Sequence, residues 1–254
     1  MILDEARDQM RRRDKLGQKE AIHQLRVAMK RMRALLRLVK SHVNGEAYAQ
    51  LDKLCRTLSD DLAINRDSDV VLDTLQLLAA DSMSSAAYLR LHEVLRLYDG
   101  KASSPATPQT PDWQKTVMLL ERIDQSFSQL SLKNIDKRDL RKGVERGLRK
   151  GSKLWRQAQK RSDTDILHDW RKVVKCTLYQ KQLLWRSDRR SKLLKSLGSC
   201  LGDLHDLDML EQHLLERRRW IWQEDLEWLG SRVRQRRERL LGQADQCAKQ
   251  IYIN

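Results

Sequence analysis

His23, Arg26 and Lys30 stand at intervals of three and four residues, and His168, Arg171 and Lys175 repeat both the residue types and the intervals. Imidazole, guanidinium and ammonium groups on one face share one chemistry, which is hydrogen-bonded binding of anions. Both sets continue along their segments. In "AIHQLRVAMKRMRALLRLVK", residues 21–40, a helix puts His23, Arg26, Lys30, Arg33 and Arg37 within an arc of roughly 80°. Leu25, Ala28, Met29, Met32, Leu36 and Val39 fall on the other side, so the segment has a core face and a cationic face. In the stretch that begins "LHDWRKVVKCTLYQ" at residue 167, His168, Arg171, Lys175, Tyr179 and Gln182 share a face. Leu167, Trp170, Val174, Leu178 and Trp185 lie across from it, with Lys181 intruding among them. A third row, Arg146, Arg149, Lys153, Arg156 and Lys160, again falls within roughly 80°.

The bland account of such a row is a solvated helix face. A solvated face normally alternates signs, because like charges at i,i+4 cost about 0.2–0.5 kcal/mol per pair. These faces are almost purely positive, and the pattern recurs at matching places in the chain. The whole chain carries 50 Lys+Arg against 35 Asp+Glu, a net charge of +15, with a pI near 9.9. Such an excess points to a polyanionic partner: nucleic acid, an anionic membrane surface or a phosphate polymer.

Two acidic corners accompany the rows. "RDSDV" begins at Arg66 and "HDLDM" at His205. Asp67 and Asp206 are expected where a helix begins, capping free N–H groups. A functional alternative has Asp67, Asp69, Asp206 and Asp208 holding Arg or His side chains in place beside the cationic rows. His168, Asp169, His205, Asp206 and Asp208 also imitate a metal-dependent phosphohydrolase. Arg171, Lys172 and Lys175 crowd the same turns, however, and a metal prefers anionic or neutral ligands. Arg66 stands where the second corner has His205, an exchange that anion binding tolerates and metal ligation does not. The chain has no GxxxxGK[ST], GxSxG or HExxH, and nothing nominates a nucleophile. No enzyme, cofactor or metal site is expected. Base stacking wants aromatics among basic residues. Trp170 and Trp185 read as core, which leaves only Tyr179, so a nucleic acid would be held through its phosphates.

The elements that must position these residues are helices. The 254 residues are 40% hydrophobic and 33% charged, with 3 Pro and 10 Gly, and no segment alternates as a strand does. The expected helices span 3–16, 19–41, 45–64, 67–80, 83–98, 112–130, 137–160, 164–186, 189–203, 206–229 and 230–250. All three prolines fall in "GKASSPATPQTPDW", so residues 100–112 read as a linker between helical bundles at 1–99 and 113–254. The shared order of the two motifs suggests an internal duplication with pseudo-twofold symmetry. The N-terminus has no apolar region of a signal peptide, and no stretch is apolar enough to span a bilayer. Four unpaired cysteines suit a reducing cytoplasm. The residues leave the oligomeric state open.

The chain resembles the CHAD family, the histidine-bearing α-helical domain. That family's first helix reads roughly H-x-x-R-V-x-x-[KR]-R-x-R, here His23, Arg26, Val27, Lys30, Arg31 and Arg33. An R-D-x-D-V corner follows, here Arg66, Asp67, Asp69 and Val70. Then come a basic "RG" helix and H-x-x-R-K-x-x-K-x-x-x-Y, here Arg146, Gly147, His168, Arg171, Lys172, Lys175 and Tyr179. The resemblance implies two helical bundles with a basic central groove that binds inorganic polyphosphate without catalysis, in the cytoplasm at polyphosphate granules. The rows alone predict that affinity for any polyanion falls steeply with salt, and more steeply for longer chains, because each neutralised phosphate releases counterions. Titrations with a short and a long polyphosphate at several salt concentrations check this; salt-insensitive binding would locate the site elsewhere.

Overall fold

The structure is a computed structural model and describes residues 2–63, 66–80, 83–97, 111–132, 135–161, 163–185 and 187–253. Every element among them is helical, and the fold is all-α. The helices are α1 (Ile2–Arg11), α2 (Arg13–Leu16), α3 (Gln18–Val39), α4 (Gly45–Asp61), α5 (Arg66–Ala79), α6 (Ser85–Leu97), α7 (Trp113–Ser128), α8 (Lys137–Lys160), α9 (Thr164–Leu184), α10 (Arg189–Arg217) and α11 (Gln223–Tyr252). Short 3-10 turns follow α3 at Lys40–His42 and α10 at Arg218–Trp220. Gly17 joins α2 to α3 at φ 84°, a conformation that a side chain would strain. Among the described residues no helix is long and apolar enough to cross a membrane.

The chain condenses into two compact units. The first comprises Met1–Ile64, Thr110–Ser152 and Lys172–Leu194; the second comprises Asn65–Gln109, Lys153–Arg171 and Lys195–Asn254. Each unit thus draws on both sides of the expected linker, because α8, α9 and α10 are long enough to give residues to both. The expected linker at 100–112 lies outside the described residues except for Pro111 and Asp112. Asp112 caps α7, its carboxylate accepting from the Lys115 N–H at 2.9 Å.

In the first unit, the apolar face of α3 meets α1, α4 and α7. Leu25, Met29, Met32 and Leu36 are buried there with Leu51 and Leu58 of α4 and Ile123 of α7. This is the face the sequence periodicity assigned to the core. A second face of α3 is buried as well, against α8 and α9. A Cβ on Gly143 of α8 would lie 2.5 Å from Leu38 Cδ1, and one on Gly147 would lie 2.4 Å from Thr177 Oγ1 of α9. Gln180 of α9, itself buried, donates to the Ala34 carbonyl of α3 at 3.1 Å. Lys181, the cation on the apolar side of α9, is buried and paired with Asp188 at 2.9 Å.

In the second unit, α11 is the element around which the others are tied. Asp245 accepts from Trp155 Nε1 and Gln159 of α8, both at 2.9 Å, and Trp170 Nε1 of α9 reaches the Tyr252 hydroxyl at 3.4 Å. Helices α5 and α6 pack on each other, and α5 packs on α11.

Two expectations of the helix pattern are corrected. Helix α10 runs unbroken through Leu204 and His205, where a break was expected, so Asp206 lies within it and not at a helix start. Leu197, Leu201, Leu204, Leu207 and Leu210, all buried, hold the helical period straight through the polar "GDLHDLD" stretch. The chain breaks instead at residues 218–222, so the expected helix 206–229 is divided between α10 and α11. The N-terminal helix is likewise split at Arg12, between α1 and α2.

The close approach at Gly147 yields a stability prediction. Alanine in a helix interior normally gains about 1 kcal/mol over glycine. At Gly147 the added methyl meets a β-branched side chain whose hydroxyl is bonded to the Val173 carbonyl at 2.8 Å. Overpacking of this kind costs roughly 1–3 kcal/mol. Thermal unfolding should show Gly147→Ala destabilised, whereas Gly242→Ala, with nothing within 4 Å of its Cβ, should be neutral or stabilised.

Candidate anion-binding site

The cationic row of α3 lies beside its contact with α8 and α9. Ala34 and Leu38, which make that contact, are only about 20° and 60° around the helix from His23. His23 and Arg37 are exposed, and Arg26 and Lys30 are half-buried. The row is not the bare positive face that the sequence suggested. Arg26 donates to the Ser59 carbonyl of α4, and Arg31 pairs with Glu5 of α1. Arg33 Nε donates to Asp52 of α4 at 2.8 Å, and Arg56 reaches the other oxygen of the same carboxylate at 2.6 Å. Asp52 is only 6% exposed. Burial pushes against its ionisation, but the Arg33 hydrogen bond and the charges of Arg33, Arg56 and Arg37 outweigh that and hold it below the usual carboxylate range. One carboxylate thus serves several guanidinium groups, and the surface keeps a positive excess.

Helix α8 presents its row fully to solvent. Arg146 and Arg149 of the first unit are exposed, as are Lys153 and Arg156 of the second. Arg149 has one acidic neighbour on its own helix, Glu145 at 3.9 Å. On α9, Lys172 is exposed while Lys175 and Tyr179 are half-buried, all three in the first unit. In that unit α3, α8 and α9, each of which carries cations, are in contact around Gly143, Gly147 and Gln180.

His168 and Arg171 belong to the second unit, where they face α10. The His168 ring lies 4.8 Å from that of His205, centroid to centroid, inclined by 37°. One turn further along α9 and one turn back along α10, the Arg171 guanidinium lies 3.7 Å from the place of a Cβ on Gly202. The two corners thus differ. His205 sits in mid-helix beside His168, whereas Arg66 opens α5. The side chains of Arg66 and Asp67 lie outside the described residues.

Sequence reasoning placed a helix at 230–250 but assigned α11 no role beside the site. Asp208 pairs with Arg237 at 2.7 Å, Glu211 joins them, and Arg236 approaches Asp203 at 3.5 Å. Burial opposes the Arg237 charge, but the two carboxylates raise its pKa above the ordinary guanidinium value. The signal was present in "RVRQRRER", residues 232–239, whose basic density exceeds that of a routine helix face. Asp69 and Asp206 are half-buried. Among the described residues no group of three or more His, Cys, Asp and Glu side chains is placed to hold a metal ion. Of the tryptophans expected in the core, Trp170 is buried, but Trp185 is 37% exposed beneath the Lys181 ammonium, 5.5 Å from its ring centroid.

A model of the CHAD domain matches residues 1–215. The solved structure of PptA from Streptomyces chartreusis is similar across 100% of this chain and 98% of that one, with a TM-score of 0.65 at 18% identity. No curated protein matches the chain.

Asp52 provides a direct test of the electrostatic arrangement. Asp52→Asn removes the shared counter-ion and should cost about 1–3 kcal/mol at neutral pH, in the range of hydrogen bonds to charged groups. The folded carboxyl is held below its unfolded value, so its contribution is complete above pH of about 4 and is lost as pH falls through the lower folded value. Denaturant unfolding at pH 7 and at successively lower pH should show the gap between wild type and variant closing. A constant gap would mean that the carboxylate charge is not what acts.

Proposed function

The chain belongs to the CHAD domain family, and on that premise we propose that it binds inorganic polyphosphate and does not cleave it. The observation that carries the proposal is the solvent-facing row on α8, Arg146, Arg149, Lys153 and Arg156, all exposed, against the like-charge repulsion such a row maintains. Polyphosphate has repeating charge, no bases and no apolar surface, and a row of donors without intervening aromatics matches that chemistry. In the first unit, His23, Arg26, Lys30 and Arg37 would act with Arg146, Arg149, Lys172, Lys175 and Tyr179. In the second, Lys153, Arg156, His168 and Arg171 would act, with His205 beside His168. Arg31 and Arg33, already paired with Glu5 and Asp52, would add to the field more than to direct contact. Arg66 joins the set on sequence pattern alone. Asp52, and Asp208 through Arg237, would fix cations in place. A basic groove lined by these residues is the form the resemblance suggests.

Two charge reversals test the proposal. Arg146→Glu with Arg149→Glu alters the first unit, and Lys153→Glu with Arg156→Glu alters the second. These side chains are exposed, so melting temperature should change little. Each pair should weaken polyphosphate binding by about ten-fold or more, given about 1.5 kcal/mol or more per charged hydrogen bond lost. A pair that leaves affinity unchanged removes its unit from the site. Incubation with long-chain polyphosphate and divalent metal should release no orthophosphate; release would replace binding with hydrolysis.

A further inference from the structure

Helices α10 and α11 join through "RRRWIW", residues 217–222, beyond the residues that match the family model. The 3-10 turn covers Arg218–Trp220, and Trp222 occupies the N-cap position of α11. Ile221 turns inward and is buried, while Trp220 is 48% and Trp222 60% exposed. Arg218 and Arg219 are exposed beside them.

The Trp222 ring is held in place. The Arg90 guanidinium of α6 lies over it, 4.1 Å from its centroid. Asp225, buried at 7% exposure, fixes Arg90 in turn, accepting from Nη2 at 3.0 and 3.1 Å and from Nε at 3.3 Å. The Arg90 charge is therefore matched within the protein, and the indole is a rigid platform. Beside it, Leu91, Val94 and Glu93 of α6 with Trp220 and Ile221 line a recess of ≈ 240 Å³.

We propose that this recess is a stacking site for a base of single-stranded nucleic acid, with Trp220 and Trp222 as platforms and Arg218 and Arg219 contacting the flanking phosphates. Rigid exposed aromatic rings interleaved with cations are the combination that binds single strands without regard to sequence, since every base has a π-face. Polyphosphate has no such face, so this site is distinct from the cationic rows of α3, α8 and α9. A lipid surface would call for a protruding apolar tip. Here the apolar residue of the turn, Ile221, is buried, and the aromatic rings border a recess rather than a protruding tip.

The test separates base from backbone. Fluorescence anisotropy would compare an oligo-dT of about fifteen nucleotides, near the upper site size of such modules, with an abasic strand of equal length at fixed salt. Wild type should bind the dT strand about ten-fold more tightly, the scale of one base–aromatic stack. Trp220→Ala with Trp222→Ala should erase that preference and leave polyphosphate affinity unchanged, whereas Trp220→Phe with Trp222→Phe, which keeps the platforms, should retain most of it. No preference in wild type, or one that survives the alanine variant, overturns the site. Vesicle binding to phosphatidylserine that is lost in the alanine variant, without base preference, assigns the surface to membranes instead. Because polyphosphate binding is measured alongside, failure of the base site and failure of the polyphosphate proposal give different results.

Discussion

Gly143 and Gly147 let the backbone of α8 approach Leu38 of α3 and Thr177 of α9 without an intervening side chain. Three helices of the first unit that carry cations meet around this contact. Helices that each carry a positive row repel one another, and nothing in their charges would bring them together. What brings them together is dispersion and apolar burial along a seam of small residues, reinforced where Gln180 bonds the Ala34 carbonyl. With larger residues at 143 and 147 the helices would stand apart, and the charge would be spread over separate faces.

In both units, cations find counter-charge inside the protein. Several are matched by carboxylates packed against them. Asp52 serves both Arg33 and Arg56, Asp208 serves Arg237, and Asp225 serves Arg90. At Asp245, burial works against ionisation, but hydrogen bonds from Lys249, Trp155 and Gln159 hold the carboxyl below its ordinary range. A carboxylate bonded in this way orients its partner and compensates repulsion locally. It does not neutralise the exposed rows, so the field outside remains positive.

The aromatic residues divide along the same lines. Trp155 and Trp170 are buried, and each indole N–H finds an acceptor, in Asp245 or the Tyr252 hydroxyl. Burial pushes that hydroxyl up to about 12, keeping it protonated and neutral within the packed layer. Trp220 and Trp222 are alike in type but occupy a turn between long helices, where the apolar period has lapsed and both rings stay largely exposed beside α6.

The sequence by itself determined the helical class, nearly every helix, and the main apolar face of α3, though not the second face that packs on α8 and α9. Those properties are local: a period of 3.6 residues in apolar side chains is enough to orient Leu25, Met29 and Leu36 away from His23, Lys30 and Arg37. The exceptions have local causes too. The polar "GDLHDLD" stretch suggested a break that the leucine period overrode, and Trp185 shared a face with core residues yet lay beyond the end of α9. Only the tertiary structure decided which cations stay open and which are matched. Arg33 meets Asp52 across 19 residues, Arg237 meets Asp208 across a helical hairpin, and Gln180 reaches Ala34 across 146. No helical period carries that information, because the approach of two distant helices is set by the size of the residues between them. At Gly147 that size is a single hydrogen atom.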